Sequence, residues 1–256
     1  MRHSLIAVLI TILFTSAWAS KAIEEEKKVS TIISFWITDQ VKPGMREVYV
    51  ETTKRWIAEM KSEGITMNFN CFRDMHGNFE YGSREYKLEE IGELLELWNQ
   101  AKALMEASEW GRRRKEAIVS SKFTIWHTDL ELSYYRLTSP ELPPGQATFF
   151  EYFSFRVSPA NESDFIIALE GIKGLCEKNG IGRPYTVFRN LVGDAGPFFT
   201  VVFPARDPGD SQNFKERLKQ TLGKEFDSLV QAMLSSSEEV TASQGWTESD
   251  LSMQPN

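Results

Sequence analysis

The sequence predicts an α+β protein made of two tandem ferredoxin-like βαββααβ repeats, packed sheet to sheet as a pseudo-dimeric α+β barrel. Three observations predict it. Segment 41–77 is echoed by 157–193 at a constant offset of 116 residues: Val41 meets Val157, Pro43 meets Pro159, Gly64-Ile65 meets Gly180-Ile181, Phe72-Arg73 meets Phe188-Arg189, and Gly77 meets Gly193. The hydrophobic periodicity then reads out the same order of elements twice. Finally, residues 138–146 (Thr-Ser-Pro-Glu-Leu-Pro-Pro-Gly-Gln) cannot sit inside a helix or strand and form a linker. The chain therefore divides into 20–137, the linker 138–146, and 147–256, behind a leader over 1–19.

In the first repeat, β-branched and aromatic residues over 30–38 predict a strand. Val41-Lys42-Pro43-Gly44 is a turn, and Met45, Val48, Tyr49, Thr52, Trp56, Ile57 and Met60 fall at helical spacing over 45–62. Gly64 is a helix stop. Strands over 65–73 and 79–84, helices over 88–106 and 108–118, and a last strand over 121–134 complete the unit. The second repeat follows the same order: strand 147–157, helix 160–178, strands near 183–190 and 197–204, helices near 210–220 and 222–235, and a strand near 237–248. One sheet face of each unit is covered by helices. The other must be buried, and the partner repeat supplies the cover.

The first 19 residues read as an export signal: Arg2, an apolar run from Leu5 to Phe14, and the small-x-small site Ala17-Trp18-Ala19. A secreted or periplasmic protein, cleaved near Ala19 and free of the membrane afterwards, is expected. Its net charge of −7 becomes one unit more negative when Arg2 is removed, which excludes nucleic acid as a natural partner. Cys71 and Cys176 align with Val187 and Met60 of the other repeat, so each is expected as a buried thiol in its own core.

Strand alternation assigns the inward faces. Ser34, Trp36 and Thr38 match Phe150, Tyr152 and Ser154; Asn68, Asn70 and Phe72 match Pro184, Thr186 and Phe188. This mixture of rings, amides and hydroxyls either fills the seam between the repeats or lines a ligand pocket there. The candidate ligand-binding residues are Trp36, Asn68, Asn70, Phe72, Tyr152 and Thr186. Catalytic residues are not assigned.

Elsewhere the readings are structural. His76 belongs to a turn. His127, Asp129 and Glu131 share a strand face that is expected to be wet, and no metal site is expected. Arg112-Arg113-Arg114-Lys115 reads as a solvated run near a helix C-terminus. Arg73 and Arg189, at equivalent positions, are expected to pair with carboxylates near their turns. Asn161 is expected to cap a helix. There is no Gly-rich phosphate loop, G-x-S-x-G elbow, HExxH, CxxC or EF-hand loop.

With its element order, its duplication and helix patterns such as Leu104…Trp110, the chain resembles the dimeric α+β barrel superfamily. That superfamily includes antibiotic-biosynthesis-monooxygenase-like, chlorite-dismutase-like and NIPSNAP proteins. The resemblance implies a fold and a menu of activities. Its haem branch is disfavoured, because a haem ligand would be a His and the second repeat has none. No cofactor is expected. The readings carried forward are a binding protein for a small, partly apolar molecule between the repeats, a cofactor-independent monooxygenase acting on an aromatic substrate, or an assembly protein with a filled interior.

Overall fold

Four strand edges that two free sheets would leave open are hydrogen-bonded in pairs, and this closes the structure. The computed structural model describes residues 32–83, 86–134, 141–143, 145–192 and 196–253. The strands are β1 (Ile32–Val41), β2 (Phe69–Asp74), β3 (Phe79–Ser83), the short β4 (Tyr86–Lys87), β5 (Ile118–Thr128), β6 (Phe149–Val157), β7 (Thr186–Val192), β8 (Phe198–Ala205) and β9 (Ser237–Thr247). In the first half β1 pairs with β3 and β5, and β2 pairs with β3; in the second, β6 pairs with β8 and β9, and β7 pairs with β8. The halves then join through antiparallel β5–β7 and β2–β9 ladders, making a closed eight-stranded barrel.

This corrects the expectation of two sheets meeting only face to face. An edge strand carries a row of unpaired N–H and C=O groups. Pairing the four edges across the halves satisfies them, and each strand then has one face inside the barrel and one under helices.

Among the described residues, five α-helices cover the outside. Helix α1 (Arg46–Ser62) buries Tyr49, Thr52, Thr53, Trp56, Ile57 and Met60, the periodic face read from sequence, and stops at Gly64 with φ 73°. Helix α4 (Glu162–Lys178) does the same with Phe165, Ala168, Leu169, Ile172, Leu175 and Cys176. Asn161 is at its N-cap position, but its side chain makes no capping bond. Helix α2 (Ile91–Ala107) turns sharply into α3 (Glu109–Ala117), where the Ser108 hydroxyl accepts from the Gly111 N–H at 2.9 Å. Helix α5 (Pro208–Ser236) is kinked at Gly223, φ 63° and ψ −148°, where two helices meet. A side chain would be strained in that conformation.

The strand predicted over 121–134 ends early, at Thr128, while the one predicted near 237–248 is found at Ser237–Thr247. After β5 and β9 each chain segment crosses to the other half. Tyr134 bridges to Tyr185, and Met253 bridges to Phe69. Leu132 and Tyr134 join the core of the second half; Leu251 and Met253 join that of the first. The exchange is sealed by charge. Arg73 Nε donates to Glu248 at 2.6 Å, and Arg189 pairs with Asp129 at 3.6 Å and with Glu162. The arginines thus bind carboxylates, as their repetition suggested. Cys71 and Cys176 are buried free thiols in the two separate cores. The leader 1–19 and residues 138–140 and 144 of the linker lie outside the described residues.

Candidate functional site

A cavity of about 510 Å³ lies outside the barrel in the second half. Its floor is the helix-facing side of β6, β8 and β9, with Phe155, Val201 and Ala242. Its roof is Ile172 and Cys176 of α4 and residues from both sides of the Gly223 kink in α5, among them Phe214, Leu218, Val230 and Met233. Leu234 and Val240 are both lining residues and partly exposed, so the rim is apolar too. This is the size and character of a small-molecule site.

The first half shows why the cavity exists. There the corresponding space is about 180 Å³, with Trp56 and a buried ion pair among its lining. Arg114 Nη2 donates to Asp39 at 2.5 Å and to the Tyr49 hydroxyl at 2.8 Å; Arg114 Nε donates to Thr53 at 3.0 Å. Tyr49 in turn donates to Asp39 at 2.7 Å, and Ser121 donates to the other Asp39 oxygen at 2.6 Å. The network satisfies its own polar groups, which is the condition for charge to be tolerated in a core. At an offset of 116, Asp39 becomes Phe155, Tyr49 becomes Phe165 and Trp56 becomes Ile172. Counting back from the helix end that enters the last strand, Arg114 becomes Met233. At these positions the second half has neither the network nor a tryptophan, and the space is open.

Four polar side chains, Arg183, Tyr185, Lys215 and Lys219, join the apolar lining, and the first two are buried. Arg183 is 3% exposed; its guanidinium donates to Asp210 Oδ1 at 2.8 Å and lies 4.5 Å over the Phe214 ring, yet its Nε has no partner. Tyr185, also 3% exposed, has a buried hydroxyl with no partner, and burial pushes its pKa upward. Orphaned buried donors are rare. Burial pushes the Cys176 thiol up to about 12, so it is neither nucleophile nor base at neutral pH. Lys215 donates to Glu151 at 3.0 Å.

Of the residues chosen from sequence, Trp36, Phe72, Tyr152 and Thr186 face the barrel interior, in a different place. Trp36 lines a cavity there of about 150 Å³ together with Tyr152, Phe188 and Thr200. The Trp36 ring stacks on Phe72 at 5.7 Å and meets Phe188 edge-on at 6.0 Å; Phe72 also meets Phe150 at 5.0 Å. Thr186 and Tyr152 both pair with Val202. Asn70 is opposite Gly82, beside Trp36, but is exposed. Asn68 precedes β2 and is not part of the strand. Rings therefore fill much of the interior.

Sequence reasoning passed over Glu80. It faces inward on β3, opposite Thr38 and Phe72, and lines the inner cavity. Burial, with Asp74 nearby, pushes its pKa up to about 7. Its signal was the alternation Phe79-Glu80-Tyr81, which puts an acid between two helix-facing rings. The outer cavity's signal was that Phe155, Ile172 and Met233 stand in the second half at the positions of Asp39, Trp56 and Arg114.

Of the remaining candidates, His127 sits at the end of β5 with its pKa lowered by burial, and Asp129 lies beyond the strand, accepting from the Leu132 N–H at 3.0 Å. Among the described residues no group of three or more His, Cys, Asp or Glu could hold a metal ion. Arg114 is not part of a solvated run, because it is the centre of the buried network. A haem in the outer cavity would need an axial donor, and the described lining offers no histidine, no thiolate and no phenolate; these residues do not fit one.

No protein-family model and no curated protein sequence matches the chain. Solved structures do. An anthrone oxidase-like protein superposes with TM-score 0.54 at 12% identity, covering 86% of this chain and 92% of its own. A candidate monooxygenase from Fusobacterium nucleatum gives 0.51 at 11% identity, covering 86% and 93%. A mutant chlorite dismutase from Candidatus Nitrospira defluvii gives 0.51 at 12%, covering 88% and 92%. The fold is thus one shared with these three solved structures. At these identities the likeness concerns the fold alone. Among the described residues no helix is long and apolar enough to cross a membrane.

Proposed function

We propose that the protein binds a largely apolar small molecule bearing one hydroxyl or acidic group, held in the outer cavity of the second half. One observation carries this: an apolar site of about 510 Å³ whose lining includes two buried, unpartnered polar atoms, Arg183 Nε and the Tyr185 hydroxyl. A ligand oxygen at those atoms would remove the cost of leaving them unpaired, while the rings and aliphatic side chains take the rest of the molecule. The two halves are read as copies of one ferredoxin-like unit, with binding retained in the copy that lost its polar network. Residues 1–19 are read as a leader that sends the protein to a secreted or periplasmic location.

The likeness in fold to an anthrone oxidase-like protein supports a second reading, cofactor-independent oxygenation of an aromatic substrate. Binding is preferred, because the cavity's titratable lining lacks a group poised to take a proton at neutral pH: Cys176 and Tyr185 are both held protonated by burial. The experiment is a titration with 2-naphthoic acid, 2-naphthol and naphthalene, followed by thermal shift and by oxygen uptake, in the wild type and in Tyr185→Phe. Stabilisation by the two oxygenated compounds, weakened in Tyr185→Phe and without oxygen uptake, supports binding. Oxygen uptake supports the second reading. No stabilisation by any of the three overturns both.

A further inference from the structure

The barrel interior holds a second site of different chemistry, independent of the outer cavity. Its volume is about 150 Å³, and its walls include the rings of Trp36, Trp126, Tyr152 and Phe188. A space of about this size takes one benzene-sized ring.

Two glycines keep the space open. Gly82 of β3 is opposite Trp36 of β1, and a Cβ there would lie 2.8 Å from the Trp36 ring. A Cβ at Gly245 of β9 would lie 3.1 Å from the Tyr152 ring and 3.2 Å from its hydroxyl. Each ring thus packs against the barrel wall where its neighbour has no side chain, and the middle of the barrel is left unfilled.

Several wall hydroxyls have partners. Ser154 and Thr200 bond to each other at 2.9 Å, and Thr124 accepts the Trp126 indole N–H at 3.0 Å. The Tyr152 hydroxyl is buried with no partner among the described residues. Burial pushes its pKa up, and the charges of Glu80 and Asp74 add to the effect, so the proton stays on. A buried donor without an acceptor is costly. The missing group is a neutral acceptor: a cation brings no lone pair, and an anion would meet the carboxyl group of Glu80 on the same lining.

We propose that this interior cavity binds a small neutral aromatic heterocycle of the pyridine class, with its ring among the wall aromatics and its nitrogen lone pair accepting from the Tyr152 hydroxyl. Offset and edge-on contacts with the wall rings hold the plane of the ligand. The hydrogen bond selects an acceptor over a plain hydrocarbon.

The test is titration of the full chain with pyridine, and separately with benzene, at pH 8, where pyridine is neutral. It is read from the indole N–H resonances of Trp36 and Trp126 in nitrogen-15 NMR spectra, assigned with Trp36→Phe and Trp126→Phe. Saturable shifts of both resonances are expected in the wild type. Tyr152→Phe keeps the ring and removes the unpaired hydroxyl; it should weaken pyridine binding at least fivefold and leave benzene binding within twofold. Tyr185→Phe, in the outer cavity, should leave these shifts unchanged. Gly82→Ala, which crowds the Trp36 ring, should weaken both compounds at least fivefold. Labelled pyridine bound to the wild type should keep the upfield nitrogen resonance of a hydrogen-bonded ring, which decides the matter even if a variant does not fold. A bound nitrogen resonance like that in cyclohexane, absence of saturable indole shifts in the wild type, or pyridine binding undiminished in a folded Tyr152→Phe overturns the proposal.

Discussion

Arg114 and Asp39 form a buried ion pair at 2.5 Å, 6% and 1% exposed, and at the corresponding positions of the other half stand Met233 and Phe155. The same architectural position is thus filled by a satisfied polar network in one half and by apolar side chains around a cavity in the other.

Removing one member of that pair strands the other in the core. Arg114→Met alone is expected to cost about 3–5 kcal/mol. Arg114→Met combined with Asp39→Phe, the residues of the second half, is expected to recover part of the loss. A double-mutant cycle by urea unfolding measures the difference.

Trp56 of the first half corresponds to Ile172 in the cavity. Ile172→Trp should fill the outer site with the residue the other half uses. Stability is expected to stay within about 1 kcal/mol of the wild type or to rise, since the cavity offers room. Binding of 2-naphthoic acid, followed by thermal shift, should be lost.

Glu80 keeps its proton up to about pH 7 in the folded chain, against an ordinary value of 4.5. The folded state therefore holds more protons than the unfolded state between these values, and Glu80's contribution to stability falls as pH rises through that window. Glu80→Gln removes the loss. Its unfolding midpoint should exceed that of the wild type at pH 8, by up to roughly 3 kcal/mol in free energy, and match it at pH 4.5. Equal stabilities at both values would show that the carboxyl titrates normally.

A methyl group at Gly82 would lie 2.8 Å from the Trp36 ring. That ring is already stacked on Phe72, so it cannot retreat freely. Gly82→Ala is expected to cost about 1–3 kcal/mol and to change the near-ultraviolet dichroism of the tryptophans. Gly92, with open space around its Cβ position, provides the control: Gly92→Ala should be neutral or slightly stabilising.

Much of the fold was legible in advance. The spacing of Tyr49, Trp56 and Met60 marked the buried face of the first helix, and Gly64 marked where that helix stops. The inward side of Trp36, Phe72 and Tyr152 followed from alternation with period two. The site was less legible. Asn68 and Asn70 were chosen for their chemistry, yet one precedes its strand and the other is exposed. Arg114 was read with its charged neighbours as solvated, because helix position alone does not reveal that Asp39, on a strand far away in sequence, is directed at it.

The sequence by itself determined the element order and the faces of the helices and strands, because these depend on local periodicity and on residues a few positions apart. Only the tertiary structure decided that strand edges β5–β7 and β2–β9 pair across the halves, that the tails around Tyr134 and Met253 exchange, and that the larger cavity lies under helices and not inside the barrel. Edge pairing, tail exchange and cavity volume are sums over contacts between segments distant in the chain. A missing tryptophan and a missing ion pair become an open site only when every neighbour that might have filled the space is in place.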